Sequence, residues 1–270
     1  MEEILYHYTS IDRFAQILKN RTIRLSPLDR MDDLQENITN DIRNIGRFFF
    51  ASCWTDDVKE SIPMWNMYTD PRAGIRIGLP KNPFRRHGTS AEALKTIYGS
   101  IDSGSTAFID TFLDLSSLIK KGVFSSQAWN GDILKQITYT EDITKLEPKI
   151  ATIKGDLLHL DTSTVGVYKN THWDFQNEWR YLMMFLPLDL KIPLPDCLTH
   201  FNEVVNALYR GELKPPFNYY DLEIASEMYD RMIITPSPKM TEGNRILLQA
   251  LIDKYNPAIK VVDSELIGKI

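Results

Sequence analysis

The chain is poor in several features that would declare a function. Only two of its 270 residues are cysteine, Cys53 and Cys197, far apart and without the paired spacing of a zinc site. A disulfide framework is not expected, and a reducing cytoplasm is the default compartment. Nowhere do about 18 apolar residues run together, and the opening MEEILYHYTS carries two acids and no long apolar stretch, so neither a membrane span nor a secretory signal is predicted. Positive charge is not in excess: 31 Lys and Arg stand against 36 Asp and Glu, for a net charge of -5. Binding of nucleic acid would need a local basic patch. The phosphate loops GxGxxG and GxxxxGK[ST] are missing, which argues against kinase-like and Rossmann mechanisms, and HExxH, CxxC and GxSxG are missing as well. The five histidines are scattered, His159 and His172 have no ligand partner nearby in sequence, and no metal is expected.

What is present is an ordinary globular composition, 43% hydrophobic, enough for a sizeable core. Ile4, Tyr6 and Tyr8 alternate with Leu5, His7 and Thr9, which reads as a short strand with an apolar-aromatic face and a face carrying His7 and Thr9. Ser10 followed by Asp12 is a helix start. Phe14, Ile17 and Leu18 supply the apolar stripe, Asn20 is a left-handed terminator, and Thr22 to Leu25 reads as the next strand, closed by Ser26-Pro27. This strand–helix–strand unit sets an imidazole and a hydroxyl just before a helix N-terminus, a place suited to a ribose or a phosphate.

Further along, Asp29 to Asn40 is an acidic loop, either solvated or anchored through Asp33 and Glu36. Arg47 to Ser52 reads as a strand buried on both faces. Ser61 begins a helix with Pro63 in its first turn, and Met64, Trp65 and Tyr68 share one side, as core residues or as a stacking platform. Ile75 to Leu79 alternates as a strand. The middle third, 81–165, reads as a largely helical insertion or lid, with helical patches at Ala91–Ile97 and Phe108–Leu118, a strand at Ile133–Tyr139 and a helix over Glu141–Leu160 interrupted near Pro148. Trp173, Phe175 and Asn177 alternate with Asp174, Gln176 and Glu178, and Trp179 to Phe185 continues as a buried strand. A strand at Met232–Thr235, a helix from Thr241 with Ile246, Leu247, Ala250 and Leu251 on one face, and a strand at Ile259–Val262 complete the chain. Strands outnumber the connections a parallel sheet needs, so the expected fold is one α+β domain over 1–270, with mixed, mostly antiparallel sheets flanked by helices.

The residues that carry chemistry are His7 and Thr9 before a helix and Glu178 on a distant strand. A neutral imidazole and a hydroxyl can hold ribose hydroxyls, and a carboxylate beside the sugar can stabilise the oxocarbenium character that develops when an N-glycosidic bond breaks. The other reading keeps His7 as a core hydrogen-bonding group and pairs Glu178 with Arg180 on the same strand face.

Four blocks, YHYTS with FAQILKN, SPLDRMDDLQE, FFASCWTDDVKESIPMWNMYTDPRAGIRIGL and HWDFQNEWRYL, together resemble a bacterial family known as domain of unknown function 2971. Asp32 and Leu34 stand where that family usually has Asn and Pro, and Gln176 replaces its first Glu in the late motif. More remotely, a His-x-Thr strand, a helix with Ile-Leu near its end and a short strand are similar to the opening of ADP-ribosyltransferase-fold proteins. Those use a late-strand Glu within a Gln-x-Glu or Glu-x-Glu triplet, the form of Gln176-Asn177-Glu178.

This resemblance implies an enzyme that takes NAD as substrate, with His7 and Thr9 on the ribose and Tyr68 or Trp65 against the nicotinamide. Glu178 would then polarise the 2′-hydroxyl and steady the transition state, and Gln176 would orient an acceptor macromolecule of unknown identity. Arg180 would meet a phosphate, with Ser26, Asp33 and Glu36 as candidate loop contacts. Two other readings stand beside it. One is a non-catalytic module binding a nucleotide or a partner protein, in a bacterial stress or phage-defence system. The other is a metal-dependent nuclease using Asp32, Asp33, Glu36 and Glu178.

Overall fold

The computed structural model describes residues 3–89, 109–125, 127, 133–154, 157–189, 191–192 and 196–270. Its opening unit follows the sequence pattern: strand β1 (Ile4–Ser10), helix α1 (Ile11–Asn20) and strand β2 (Thr22–Pro27). Phe14, Ile17 and Leu18 are the buried stripe of α1. The left-handed terminator is Arg21 rather than Asn20, with φ 55 and its N–H donating to the Ile17 carbonyl at 2.8 Å. Asn20 still completes the last turn, and the Arg21 guanidinium rests 4.9 Å above the Tyr229 ring. On β1, Leu5 and Thr9 share the His7 face and are buried, so that face is mostly core and not an open polar surface.

Strand β3 (Phe49–Thr55) is buried on both sides as expected. Helix α2 (Ile62–Tyr68) starts at Ser61, whose hydroxyl accepts from the Met64 N–H at 3.4 Å. Strands β4 (Gly74–Pro80), β5 (Leu134–Gln136), β6 (Glu178–Met184), β7 (Tyr220–Glu223), β8 (Ile233–Pro236) and β9 (Lys260–Val261) complete a nine-stranded sheet. Its order is β7-β2-β3-β1-β4-β8-β9, with β6 along the opposite edge of β3 and β5 beyond β6. Every pairing in it is antiparallel except β8 with β9. The α+β architecture read from the sequence is the one observed.

The sheet is split at β3. One edge of β3 pairs with β6 along its whole length, from Glu178↔Thr55 to Met184↔Phe49. Its other edge is shared by two strands that do not pair with each other: β1 meets it at Tyr6↔Thr55, and β2 at Ser26↔Ala51 and Pro27↔Phe50. Both run antiparallel to β3, so they are parallel to one another and joined by the α1 crossover. Between these two contacts the edge of β3 at residues 52–54 faces a gap.

Alternation along β3 and β6 distributes side chains into two apolar layers. Phe50, Trp54, Tyr181, Met183 and Phe185 pack with Leu5, the α1 stripe and the β4 residues Ile75, Ile77 and Leu79. Phe49, Ala51, Leu182 and Met184 pack on the other side with Ile42, Ile45 and Phe48.

The middle third differs from the helical insertion expected. Its described part contains two short helices, Leu115–Lys120 and Ile143–Leu146, among short strands. Ala151–Lys154 and Leu157–Leu160 pair as antiparallel strands where a helix was expected, because Pro148 ends the helical turn and the apolar residues beyond it alternate. The patch at Ala91–Ile97 lies outside the described residues. Helix α3 (Asp196–Tyr209) and strand β7 are additions to the sequence reading. Helix α4 (Glu242–Tyr255) is capped by Thr241 as expected but buries Leu248 and Ile252, leaving Ile246 and Leu247 exposed. Among the described residues, no helix is long and apolar enough to cross a membrane.

Candidate functional site

At the start of β6 the layer that holds Leu182 and Met184 turns from apolar to ionic. Glu178 and Arg180 continue the same alternation and are buried. The Arg180 Nε donates to Glu178 Oε1 at 2.5 Å and an Arg180 Nη2 hydrogen goes to Oε2 at 3.0 Å. That guanidinium also binds the Gly166 carbonyl at 3.2 Å and the Glu36 carboxylate. Lys169 Nζ adds a second cation, 2.7 Å from Gln176 Oε1, 3.0 Å from Glu178 Oε2 and 3.4 Å from Glu36 Oε1. Two carboxylates and two cations thus neutralise one another in a space with little water, where any one alone would be strongly penalised. Burial alone would raise the Glu178 carboxyl, but the Arg180 and Lys169 charges outweigh it and hold the group down to about 2. Burial pushes Glu36 the other way, above the usual carboxylate range, since Arg180 and Lys169 only partly offset it and the Glu178 charge adds to the rise.

A turn brings these groups together. Lys169 lies on a short strand, Tyr168–Asn170, and residues Thr171–Gln176 form a 3-10 turn in place of the alternating strand expected there. The Asn170 side chain caps this turn by accepting from the His172 N–H at 3.0 Å. Asn177 ends it in the left-handed region, φ 40, and its amide nitrogen donates to Asp56 at 2.6 Å and to Asp57 at 3.1 Å. Chain reversal at Asn177 is what sets Gln176 beside Lys169.

His7 fills the gap in the sheet. Its Nδ1 lies 2.8 Å from the Cys53 carbonyl, on the β3 edge that neither β1 nor β2 covers, and its ring packs against Trp54 with centroids 5.1 Å apart. A carbonyl only accepts, so Nδ1 carries the proton. Burial lowers the His7 pKa, partly countered by that hydrogen bond and assisted by Arg13, so the ring is neutral and Nε2 is an acceptor.

A cavity of about 80 Å³ lies here. It is walled by His7 and Tyr8 of β1, Cys53 and Trp54 of β3, Met64 and Tyr68 of α2, Met31 and Asp32 from the loop after β2, and Lys169, Gln176, Glu178 and Arg180. Burial, together with the nearby Glu178 charge, pushes the Cys53 thiol well above its ordinary value, which makes it a weak nucleophile. Met31 and Met64 are unbranched and adaptable, so the wall can yield to a larger group.

Of the residues singled out in the sequence, His7, Asp32, Met64, Tyr68, Gln176, Glu178 and Arg180 converge on this cavity. Others do not reach it. Trp65 is buried behind it, edge-on to Tyr8 at 4.9 Å, with its indole N–H given to Glu60 at 2.8 Å. Thr9 is buried and its hydroxyl has no hydrogen-bond partner among the described residues. Ser26 is engaged in the sheet opposite Ala51. Asp33 caps a 3-10 turn, Leu34–Asn37, by accepting from the Gln35 N–H at 3.0 Å. Glu36 stands behind the wall as the anchor of its loop, through Arg180 and Lys169. Arg180 gives four of its five N–H groups to two carboxylates and a carbonyl, so its main role in this arrangement is to position Glu178 rather than to meet a phosphate. Lys169, Cys53 and Met31 are cavity residues that no motif spacing announces.

Among the described residues, no three or more His, Cys, Asp or Glu side chains are grouped to hold a metal ion. Between Glu36 and Glu178, where the nuclease reading needs a cation, stand Arg180 and Lys169. Comparison of the chain with protein-family models and with curated proteins finds no match to either.

Proposed function

We propose that this cavity binds the ribose end of a nucleotide, NAD being the first candidate, and that the protein acts as an ADP-ribosyltransferase-like enzyme on its N-glycosidic bond. The observation that carries this reading is the meeting of His7 and Glu178, distant in sequence, in one cavity beside the split sheet. A neutral imidazole acceptor and an ionised carboxylate suit a diol, and a carboxylate held ionised is a stabiliser of developing positive charge rather than a base. Glu178 Oε1 accepts from the Arg180 Nε, and the Cys53 thiol is a further donor to this carboxylate, so a sugar hydroxyl would share it with both. A half-open space of about 80 Å³ is small beside the roughly 150 Å³ that holds a benzene ring. Only one end of the ligand would enter, and Met31 and Met64 would have to shift.

The binding-module reading has its own support, since Arg180 and Lys169 neutralise much of the charge that Glu178 would offer a transition state. Calorimetry with NAD and an assay of nicotinamide release separate the two, using wild type, Glu178→Gln and His7→Ala. Release by wild type and its loss with retained binding in Glu178→Gln supports the transferase. Binding without release in wild type supports the module, and absence of both retires the NAD reading.

A further inference from the structure

We propose that Gln176 is a positioning residue that fixes the Tyr68 hydroxyl as a hydrogen-bond donor into the cavity, and so selects a ligand that places an acceptor there. The proposal takes the nucleotide reading for the ligand's class, but its core is a matter of donors and acceptors. Lys169 Nζ has hydrogens only to give, and it gives one to the Gln176 side chain at 2.7 Å. The atom facing Lys169 is therefore the amide oxygen, since an amide nitrogen would set donor against donor. The amide nitrogen is forced to the other side, where it donates to the Tyr68 hydroxyl oxygen. Having accepted that hydrogen, the phenol turns its own proton elsewhere, and no acceptor among the described residues takes it. Tyr68 lines the cavity, so the proton is available there.

The opposite polarity holds at His7, whose Nδ1 is committed to the Cys53 carbonyl and whose Nε2 can only accept. The cavity thus asks for a hydroxyl or amine toward His7 and a carbonyl or similar acceptor toward Tyr68. A carboxylate at position 176 would reverse the second requirement. It would accept from both Lys169 and the phenol, turning the Tyr68 proton away and leaving only an oxygen lone pair for the ligand.

Neutron diffraction of the deuterated, ligand-free protein reads the phenol directly. A deuteron on Tyr68 directed into the cavity, with both Gln176 amide deuterons on the nitrogen next to Tyr68, supports the proposal. A phenol deuteron lying between Tyr68 and the Gln176 side chain overturns it. In Gln176→Glu the deuteron is expected to move onto the line to the introduced carboxylate, and its staying in the cavity also counts against the idea. Neither result depends on NAD, so a failure of the nucleotide reading shows separately, as absent NAD binding with the wild-type deuteron in place. Where NAD binds, Tyr68→Phe and Gln176→Glu each weaken it roughly tenfold or more, the effect of one unmade buried hydrogen bond, whereas a filler role for Tyr68 would leave the phenylalanine variant unchanged.

Discussion

Glu178 and Arg180 sit two residues apart on one strand, and the guanidinium holds both oxygens of the carboxylate, at 2.5 and 3.0 Å. Both side chains are buried, so removing one partner leaves the other charged with no water to replace it. Glu178→Ala is expected to destabilise the fold by about 3–5 kcal/mol, measured by urea unfolding. A cost below about 1 kcal/mol, the range of exposed pairs, would mean that the pair is solvated. Any loss of turnover in that variant has to be judged against its folded fraction.

Acid sensitivity should come from the same group. Glu178 is held at about 2 against an ordinary 4.5, so the stability it lends is complete above about 4.5 and is lost as pH falls toward 2. Glu36, displaced upward, takes up its proton in the folded state first and works in the opposite sense just above 4.5. Unfolding free energies across pH 2 to 6 are expected to fall steeply at the acid end for wild type and to be flatter there for Glu178→Gln.

His7 contributes at milder pH. Its pKa lies below the ordinary 6.5 because the ring is buried, so the unfolded chain takes up a proton that the folded protein refuses. Stability is full above 6.5 and declines as pH drops below it. His7→Asn can keep a donor to the Cys53 carbonyl while removing the titration. The decline between pH 6.5 and 5 should vanish in that variant, and NMR of the ring should show a neutral, Nδ1-protonated tautomer.

Trp65 provides a control for the stacking idea. Its indole N–H goes to Glu60, which also binds the Ser264 hydroxyl at 2.7 Å and the Glu265 N–H at 2.7 Å, tying α2 to the C-terminal segment. Trp65→Phe is expected to cost about 1–3 kcal/mol, the range for a lost buried partner, with ligand affinity unchanged. A large loss of affinity at unchanged stability would return Trp65 to the binding site.

Gly166 offers a test of how rigidly the ion cluster is held. Its backbone is left-handed, φ 72, its carbonyl accepts from Arg180, and a Cβ there would come within 2.7 Å of Leu28. Gly166→Ala should cost roughly 1–2 kcal/mol for the backbone alone, more with the Leu28 clash, and should weaken any ligand binding by disturbing Arg180. Equal melting temperatures for the two proteins would contradict this.

Much of the sheet was readable because its strands carry their own periodicity. β3 and the later part of β6 are buried on both faces, and the spacing of Glu178 and Arg180 puts them on one side of any strand. The sharing of β3 by β1 and β2 is tertiary, and no residue in those strands encodes it locally. Lys169 escaped notice because its partnership with Glu178 depends on the 3-10 turn and on Asn177 at positive φ, neither of which alternation can predict. Trp65 and Tyr68, one turn apart on a single helix, looked equivalent; packing alone sends one into the core and the other to the cavity. On α4, apolar residues cover more than one face, so periodicity did not reveal which side would be buried.

The gap beside β3 makes the sheet two plates joined along a seam. One plate holds β1, β4, β8 and β9, the other β2 and β7, and they touch β3 at separate places. His7 is the wedge in that gap: its Nδ1 gives the Cys53 carbonyl the hydrogen that a neighbouring strand would otherwise supply, so one side chain stands in for a missing ladder bond.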